Sequence, residues 1–384
     1  MLTSGISFIN FITKNQKSKI KQKLLSLIKN KNQVIDSLSI NYKNSYDKKK
    51  IKRYKKSLNY RVIGMGGSTL GTQTIYNFLN HKIKKKFLFI DNLQNFKKNN
   101  KKKIFTNLIV SKSGNTIETI VNSNILIKKK DKNIFITENK SSYLYNLAQK
   151  LKSDVIHHNN YIGGRYSVLS EVGMLPAELM GLKPNNFRQL NNLIKNKQFI
   201  NALVSNVSST LYFIKKKKFN SVIINYDEKS ENLFNWYQQL IAESLGKKNK
   251  GLLPIVSNMP KDNHSVMQLY LDGFKNNFFT FFYVNEKNSQ KINNNSILSS
   301  QYYLKNKDLS QITIAQKKAT ENIFKNKNIP FRSFEIQKRD EKTLGELFCF
   351  FILETILIGQ SMNLNPYDQP AVELIKKETK KLLI

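Results

Sequence analysis

The chain has 384 residues, 40% of them hydrophobic, with 24 Phe and 17 Tyr. That is enough apolar material for two domains with substantial cores, and it argues for a globular protein. The single cysteine, Cys349, excludes an internal disulfide and fits a reducing cytosol. The net charge of +38 raises nucleic acid or an anionic membrane surface as partners. The lysines, however, fall in scattered runs at 48–50, 84–86, 101–103, 128–130 and 215–218 rather than in one stripe. Most of these runs fall at expected loops or helix ends. The charge therefore reads as solvated surface, a field that would also favour an anionic small substrate.

No run of 18 apolar residues occurs. The nearest, 347–358, is short and contains Glu354, so no membrane-spanning helix is expected. The first sixteen residues lack a basic stretch ahead of their apolar part and make a poor signal peptide. A cytoplasmic location is the expectation.

In chain order, residues 1–56 read as helical and basic, with Leu24, Leu25, Leu27 and Ile28 as apolar positions. Residues 60–63 form a strand running into Gly64-Met65-Gly66-Gly67-Ser68, then a helix over 69–79. A strand at 87–90 ends at Asp91. The strand 104–110 is followed by Ser111-Lys112-Ser113-Gly114-Asn115-Thr116 and a helix bearing Ile117, Ile120, Val121 and Ile125. A strand at 133–137, a helix at 143–151 and a short strand at 154–157 complete the first half. Next come Gly163-Gly164-Arg165-Tyr166-Ser167 and an apolar stretch to Gly181. The second half offers a helix at 199–214, a strand at 221–226 and a helix at 231–245 that Ser230 can cap and Gly246 can end. Strands follow at 253–256 and 278–284, then a polar surface loop at 285–308 and a strand at 329–335. A helix spans 343–359, Pro366 breaks the chain, and Pro370 starts a last helix to 383. Strands alternating with helices at this spacing give parallel α/β sheets.

The loop at 111–116 carries chemistry. First-turn N–H groups of the following helix are unpaired and sit at its positive end, so a phosphate is a natural guest among Ser111, Ser113, Thr116 and Thr119. The alternative is a plain helix capped by Ser or Thr. The glycines at 64–67 invite a dinucleotide reading, but the third glycine of G-x-G-x-x-G would fall at Thr69. Two glycines before Arg165 let backbone and a fixed cation approach one ligand, or else form a turn with a surface Arg. Glu243, in the last turn of 231–245, suits a general base, or else an i,i+4 ion pair with Lys247. His264, in the first turn of a helix that Asp262 or Asn263 can cap, suits proton exchange, or else a polar cap. No His or Cys pair has zinc-ligand spacing, and adjacent His157 and His158 point apart on a strand.

Taken together, GMGGSTLG (64–71), SKSGNTIET (111–119), NYIGGRYSVLS (160–170), AESLGK (242–247), DNHSVMQ (262–268) and YDQPAVELIK (367–376) resemble the phosphoglucose (glucose-6-phosphate) isomerase family. The motifs occur in the family's order and cover nearly all of the chain from about residue 55 on. The resemblance implies an α/β fold of two sugar-isomerase (SIS) domains, each a three-layer αβα unit with a parallel sheet. The implied partition is a basic helical segment at 1–55, SIS domains at 56–185 and 186–342, and a helical C-terminal arm at 343–384 that completes the active site. It implies interconversion of glucose 6-phosphate and fructose 6-phosphate, a step of glycolysis and gluconeogenesis, without metal or cofactor. By motif, Ser111, Ser113, Thr116 and Thr119 hold the phosphate, with Ser68, Gly67 and Gly164 beside it. Glu243 moves the proton between C1 and C2, and Arg165 stabilises the enediolate. His264 and Lys376 assist ring opening, and Gln369 lies in the pocket. The resemblance also implies a homodimer in which His264 serves the partner subunit's site, with no specific nucleic acid and no membrane as partners. Gly114, Asn115, Glu171 and Ala371 stand where the family more often shows other residues.

A phosphosugar sensor would keep the hydroxyl loop without Glu243, His264 and Lys376. A nucleic-acid binder would need specific, saturable binding that persists as salt rises.

Overall fold

The computed structural model describes residues 1–13, 18–30, 32–95, 104–286 and 288–384. The lysine run 101–103 lies outside these residues. Two five-stranded sheets organise the chain. The first comprises β2 (Asn59–Ile63), β3 (Lys86–Ile90), β4 (Thr106–Val110), β5 (Lys132–Thr137) and β6 (Asp154–His157), in the order β3-β2-β4-β5-β6, all parallel. The second comprises β1 (Ile6–Ile9), β7 (Asn220–Asn225), β8 (Leu253–Asn258), β9 (Asn277–Val284) and β10 (Phe331–Ile336), in the order β1-β10-β9-β7-β8. Strands β7 to β10 are parallel, and β1 is an antiparallel edge. Central strands covered on both faces carry unbroken apolar runs. Accordingly every residue of β4 and of β9 is buried.

Helices Ile117–Leu126 and Tyr143–Lys150 pack on the first sheet, and Glu231–Leu245 and Leu309–Asn326 on the second. The helix Glu231–Leu245 also crosses to the first half. It packs against the helix Leu70–Phe78, and Thr74 Oγ1 donates to the Asn232 carbonyl at 2.9 Å. It spans the residues the sequence pattern assigns to it. Ser230 does not cap it, because its hydroxyl donates to Asp227 instead.

Three expectations change. The N-terminal segment, read as helical, opens with strand β1, whose register pairs Ile6 with Ile336. Its partner lies at the other end of the chain, which no local pattern reveals. The stretch 309–326 joins no expected element, yet it is an 18-residue helix opened by an Asp308/Gln311 capping box. The expected C-terminal arm divides in two. The helix Glu341–Ser361 is a core helix, with 94% of its most apolar 18-residue window buried inside the protein. It is largely apolar around its circumference, as a helix surrounded by protein must be, with Glu346 and Glu354 as buried charged exceptions. Each fully buried Leu, Ile or Phe contributes about 1.5–3 kcal/mol. Only the stretch beyond Pro366 lies outside, ending in the exposed helix Val372–Leu382. Pro370 and Ala371 precede that helix rather than starting it.

A charged network ties the second half together. Arg332 on β10 and Glu354 on Glu341–Ser361 form an ion pair, each 1% exposed. Arg332 also donates to Thr280 Oγ1 (2.9 Å) and Asn206 Oδ1 (2.7 Å), and Asn206 Nδ2 donates to Glu354 Oε1 (2.5 Å). Tyr237 joins them from Glu231–Leu245, donating to Glu354 Oε2 at 3.4 Å.

Candidate active site

Arg165 is the centre of the site. It lies in the 3-10 segment Gly164–Leu169 and is 1% exposed. A buried guanidinium is costly unless its donors are met. Here all five are engaged. Nε donates to Ser244 Oγ (2.8 Å), and Nη1 to Glu243 Oε2 (3.0 Å) and Gln369 Oε1 (2.6 Å). Nη2 donates to the carbonyls of Pro366 (2.7 Å) and Asp368 (3.1 Å). Tyr166 donates to the Pro366 carbonyl at 2.9 Å and meets Ser244 Oγ at 2.8 Å. Burial pushes its hydroxyl up to about 12, so it stays a donor. Three segments distant in sequence thus converge: the start of Gly164–Leu169, the end of Glu231–Leu245, and residues 366–369.

Glu243 pairs with Arg165 rather than with Lys247. Lys247 Nζ reaches Asp368 Oδ1 (2.6 Å) and the Asn365 carbonyl, pinning the 365–369 segment from the other side. Gln239, one turn before Glu243, donates to Glu243 Oε1 at 2.8 Å. The sequence reading missed Gln239, although its i,i+4 spacing to the carboxylate put both on one helix face. Trp236, on the same helix, donates to the Arg165 carbonyl at 3.0 Å and fixes the loop from behind.

The two glycine loops touch. A Cβ on Gly67 would lie 2.2 Å from the Gly164 carbonyl carbon, so only glycine allows this approach. The loop 64–68 after β2 is therefore packed against the one presenting Arg165. The hydroxyl loop after β4 lies at the neighbouring strand end. Gly114 has φ +67°, and a Cβ there would lie 2.0 Å from Ser142 Oγ. Thr116 holds the cap position of Ile117–Leu126 but makes no cap bond, and its hydroxyl meets Ser111 Oγ at 2.9 Å. Ser113 is exposed, and Thr119 is 1% exposed with its Oγ1 unpartnered. Lys112 is half-buried in the same loop, 3.7 Å from Glu138, and burial holds it below the ordinary lysine value.

The structure does not bring every expected residue to this cluster. His264 ends the 3-10 turn Lys261–His264, ahead of the six-residue helix Met267–Asp272, and its side chain is exposed. Asp262 does not cap that helix, because its carboxylate accepts the Asn258 N–H at 2.7 Å. Lys376 sits on the exposed helix Val372–Leu382, paired with Glu373 at 2.6 Å and outside the Arg165 network. His157 is exposed, while His158 is buried and pushed down to about 4 by desolvation. Among the described residues, no three His, Cys, Asp or Glu side chains are grouped to hold a metal ion.

Two parallel-stranded α/β sheets of this kind occur together in solved structures. Crystal structures with the same fold include a hypothetical protein from Thermus thermophilus, with a TM-score of 0.81 at 22% identity over 96% of this chain and 94% of that one. A glucose-6-phosphate isomerase from Chlamydia trachomatis superposes with a TM-score of 0.71 at 16% identity, covering 95% and 83%. A family model described as Phosphoglucose isomerase matches residues 18–383, and the chain belongs to that family. The glucose-6-phosphate isomerase of Methanocaldococcus jannaschii is 34% identical over 342 residues, 83% of this chain and 82% of that protein.

Proposed function

We propose that the chain interconverts glucose 6-phosphate and fructose 6-phosphate through an enediol(ate), as a cytoplasmic enzyme of glycolysis and gluconeogenesis. The observation that supports this most is Glu243 held 3.0 Å from a buried Arg165, together with the hydroxyl loop 111–116 and the unpartnered Thr119 hydroxyl in the helical turn after it. Glu243 takes the proton from the carbon next to the carbonyl and returns it to the neighbouring carbon. The carbonyl thereby moves between C1 and C2. The charge that builds on oxygen meets the Arg165 guanidinium, whose orientation is fixed before substrate arrives. Since all five donors are engaged, a substrate oxygen takes over the one held by Gln369. The phosphate sits remote from the reacting carbons, on Ser111, Ser113, Thr116 and Thr119 with Ser68, Gly67 and Gly164 beside it. Its binding energy positions the sugar.

The rest of the reading concerns assembly. Two SIS domains, at 56–185 and 186–342, bear the two sheets, with strand β1 lent to the second by the N-terminal segment. The active unit is a homodimer in which His264 serves the partner subunit's site. Lys376 joins it in ring opening when Val372–Leu382 is covered. The support is that His264 and Lys376 stand exposed, and that Leu374 and Ile375 on that helix are about 70% exposed.

The deciding experiment is a coupled assay of fructose 6-phosphate to glucose 6-phosphate, run in EDTA. Turnover is expected in the wild type, and a loss of roughly 100-fold or more in kcat for Arg165→Lys. A folded wild-type dimer that binds the sugar phosphate without turnover would make the chain a sensor. Thr119→Val is expected to raise KM for fructose 6-phosphate roughly tenfold with kcat and Tm nearly unchanged, because that hydroxyl has no protein partner to lose. An unchanged KM would remove Thr119 from the phosphate site.

A further inference from the structure

The two sheets share one plan. In each, the first strand lies inside, the second goes to one side, the third to the other, and the fourth beyond it: β2, β3, β4, β5 and β7, β8, β9, β10. In such sheets ligands bind outside the carboxyl ends of the strands, where the order reverses. In the first sheet that point lies between β2 and β4, whose ends carry the 64–68 and 111–116 loops. In the second it lies between β7 and β9. There the protein has a cavity of about 610 Å³, lined among others by His81, Lys229, Asn285, Glu286, Lys338 and Arg339. This volume suits a small metabolite.

Arg339 is the telling residue. Its side chain is 8% exposed, and Nη2 alone is used, donating to Asp227 Oδ1 (2.7 Å) and Glu286 Oε1 (2.8 Å). The Phe78 ring, 4.8 Å from Cζ, covers one face of the guanidinium. Nε and Nη1 are buried and unpartnered, which leaves three N–H donors unclaimed. The six residues carry three cations and one carboxylate; Lys229 pairs with Glu286 at 3.1 Å, Lys338 lies 3.5 Å from Asp340, and Asp227 stands behind Arg339. His81 is held below the ordinary histidine value, by burial first and then by Lys82, Arg339 and Lys229. Two long helices start at this wall, Glu231–Leu245 just after Lys229 and Glu341–Ser361 just after Arg339. Glu231 in the first turn of one, and Asp340 and Glu341 at the start of the other, offset their positive ends.

We propose that this cavity is a second binding site, for a small phosphate ester, held by Arg339, Lys229 and Lys338 and distinct from the Arg165–Glu243 centre. It does not depend on the reaction assigned to that centre.

The probe is inorganic phosphate, titrated calorimetrically into the full chain at about 0.15 M salt to screen the basic surface. The wild type is expected to take two phosphates per chain. Ser113→Ala/Thr119→Val should lose one of them. Arg339→Lys, which keeps a cation between Asp227 and Glu286 but removes the spare donors, should weaken the other roughly tenfold or more. Lys229→Gln/Lys338→Gln, at exposed side chains, removes the Lys229–Glu286 pair (3.1 Å) but leaves both Arg339 pairs in place, and should weaken the same site likewise. One phosphate per chain, lost entirely in Ser113→Ala/Thr119→Val, would overturn the proposal. So would binding that Arg339→Lys and Lys229→Gln/Lys338→Gln leave unchanged.

Discussion

Glu243→Gln is expected to lower kcat by roughly 100- to 10,000-fold while leaving the affinity for fructose 6-phosphate within a few-fold of wild type. The amide cannot accept a proton from carbon, so the chemical step loses its base. The surroundings, by contrast, tolerate the change. The amide oxygen can still accept from Arg165 Nη1, which now donates to Glu243 Oε2 at 3.0 Å. The amide nitrogen would face Gln239 Nε2, at present the donor to Glu243 Oε1. Gln239 Oε1 is buried without a partner, so a turn of that side-chain amide converts the donor–donor clash into a hydrogen bond. The hydroxyl loop at 111–116 follows a strand of the first sheet and is untouched. Coupled-assay kcat and calorimetric affinity on one preparation check both halves. Loss of binding in a folded variant would mean that Glu243 holds substrate rather than moving a proton.

The second large effect is on stability. Glu354→Leu is expected to cost about 3–5 kcal/mol, because it strands the Arg332 charge where the side chain is 1% exposed. Arg332 would keep Thr280 and Asn206 as acceptors, but neither is charged. Glu354→Leu/Arg332→Met should recover most of the loss, since two apolar side chains of similar size carry no desolvation penalty. Urea unfolding at neutral pH measures both. A single-variant cost below about 1 kcal/mol would show that water reaches the guanidinium and that the pair is not a structural tie.

What can be read from the sequence follows how far each interaction reaches. The helix 231–245 is legible because apolar residues at 233, 234, 236, 237, 240 and 241 recur at helical spacing. Strand β9 is legible because a strand buried on both faces is apolar without alternation. The hydroxyls of 111–119 and the glycines before Arg165 are legible because a tight loop and a close approach are local demands. Strand β1 is hidden, since its stability comes from β10, far along the chain. The helix 309–326 is hidden because much of it is polar, and only the Asp308/Gln311 pair marks its start. In the site, the residue types are visible but their meeting is not. Nothing local tells that Glu243 answers Arg165 instead of Lys247, or that 366–369 closes over the guanidinium. His264 and Lys376 are visible only as motif members, and one chain does not bring them to the centre.

The helix Glu231–Leu245 has a final consequence. Near its start Asn232 is bound to Thr74 in the first half, and near its end Glu243 meets Arg165. One stiff rod therefore joins the helix Leu70–Phe78 of the first half to the carboxylate that meets Arg165. A shift of the first half is passed along that axis to Glu243, so the two halves move together or the carboxylate leaves the guanidinium.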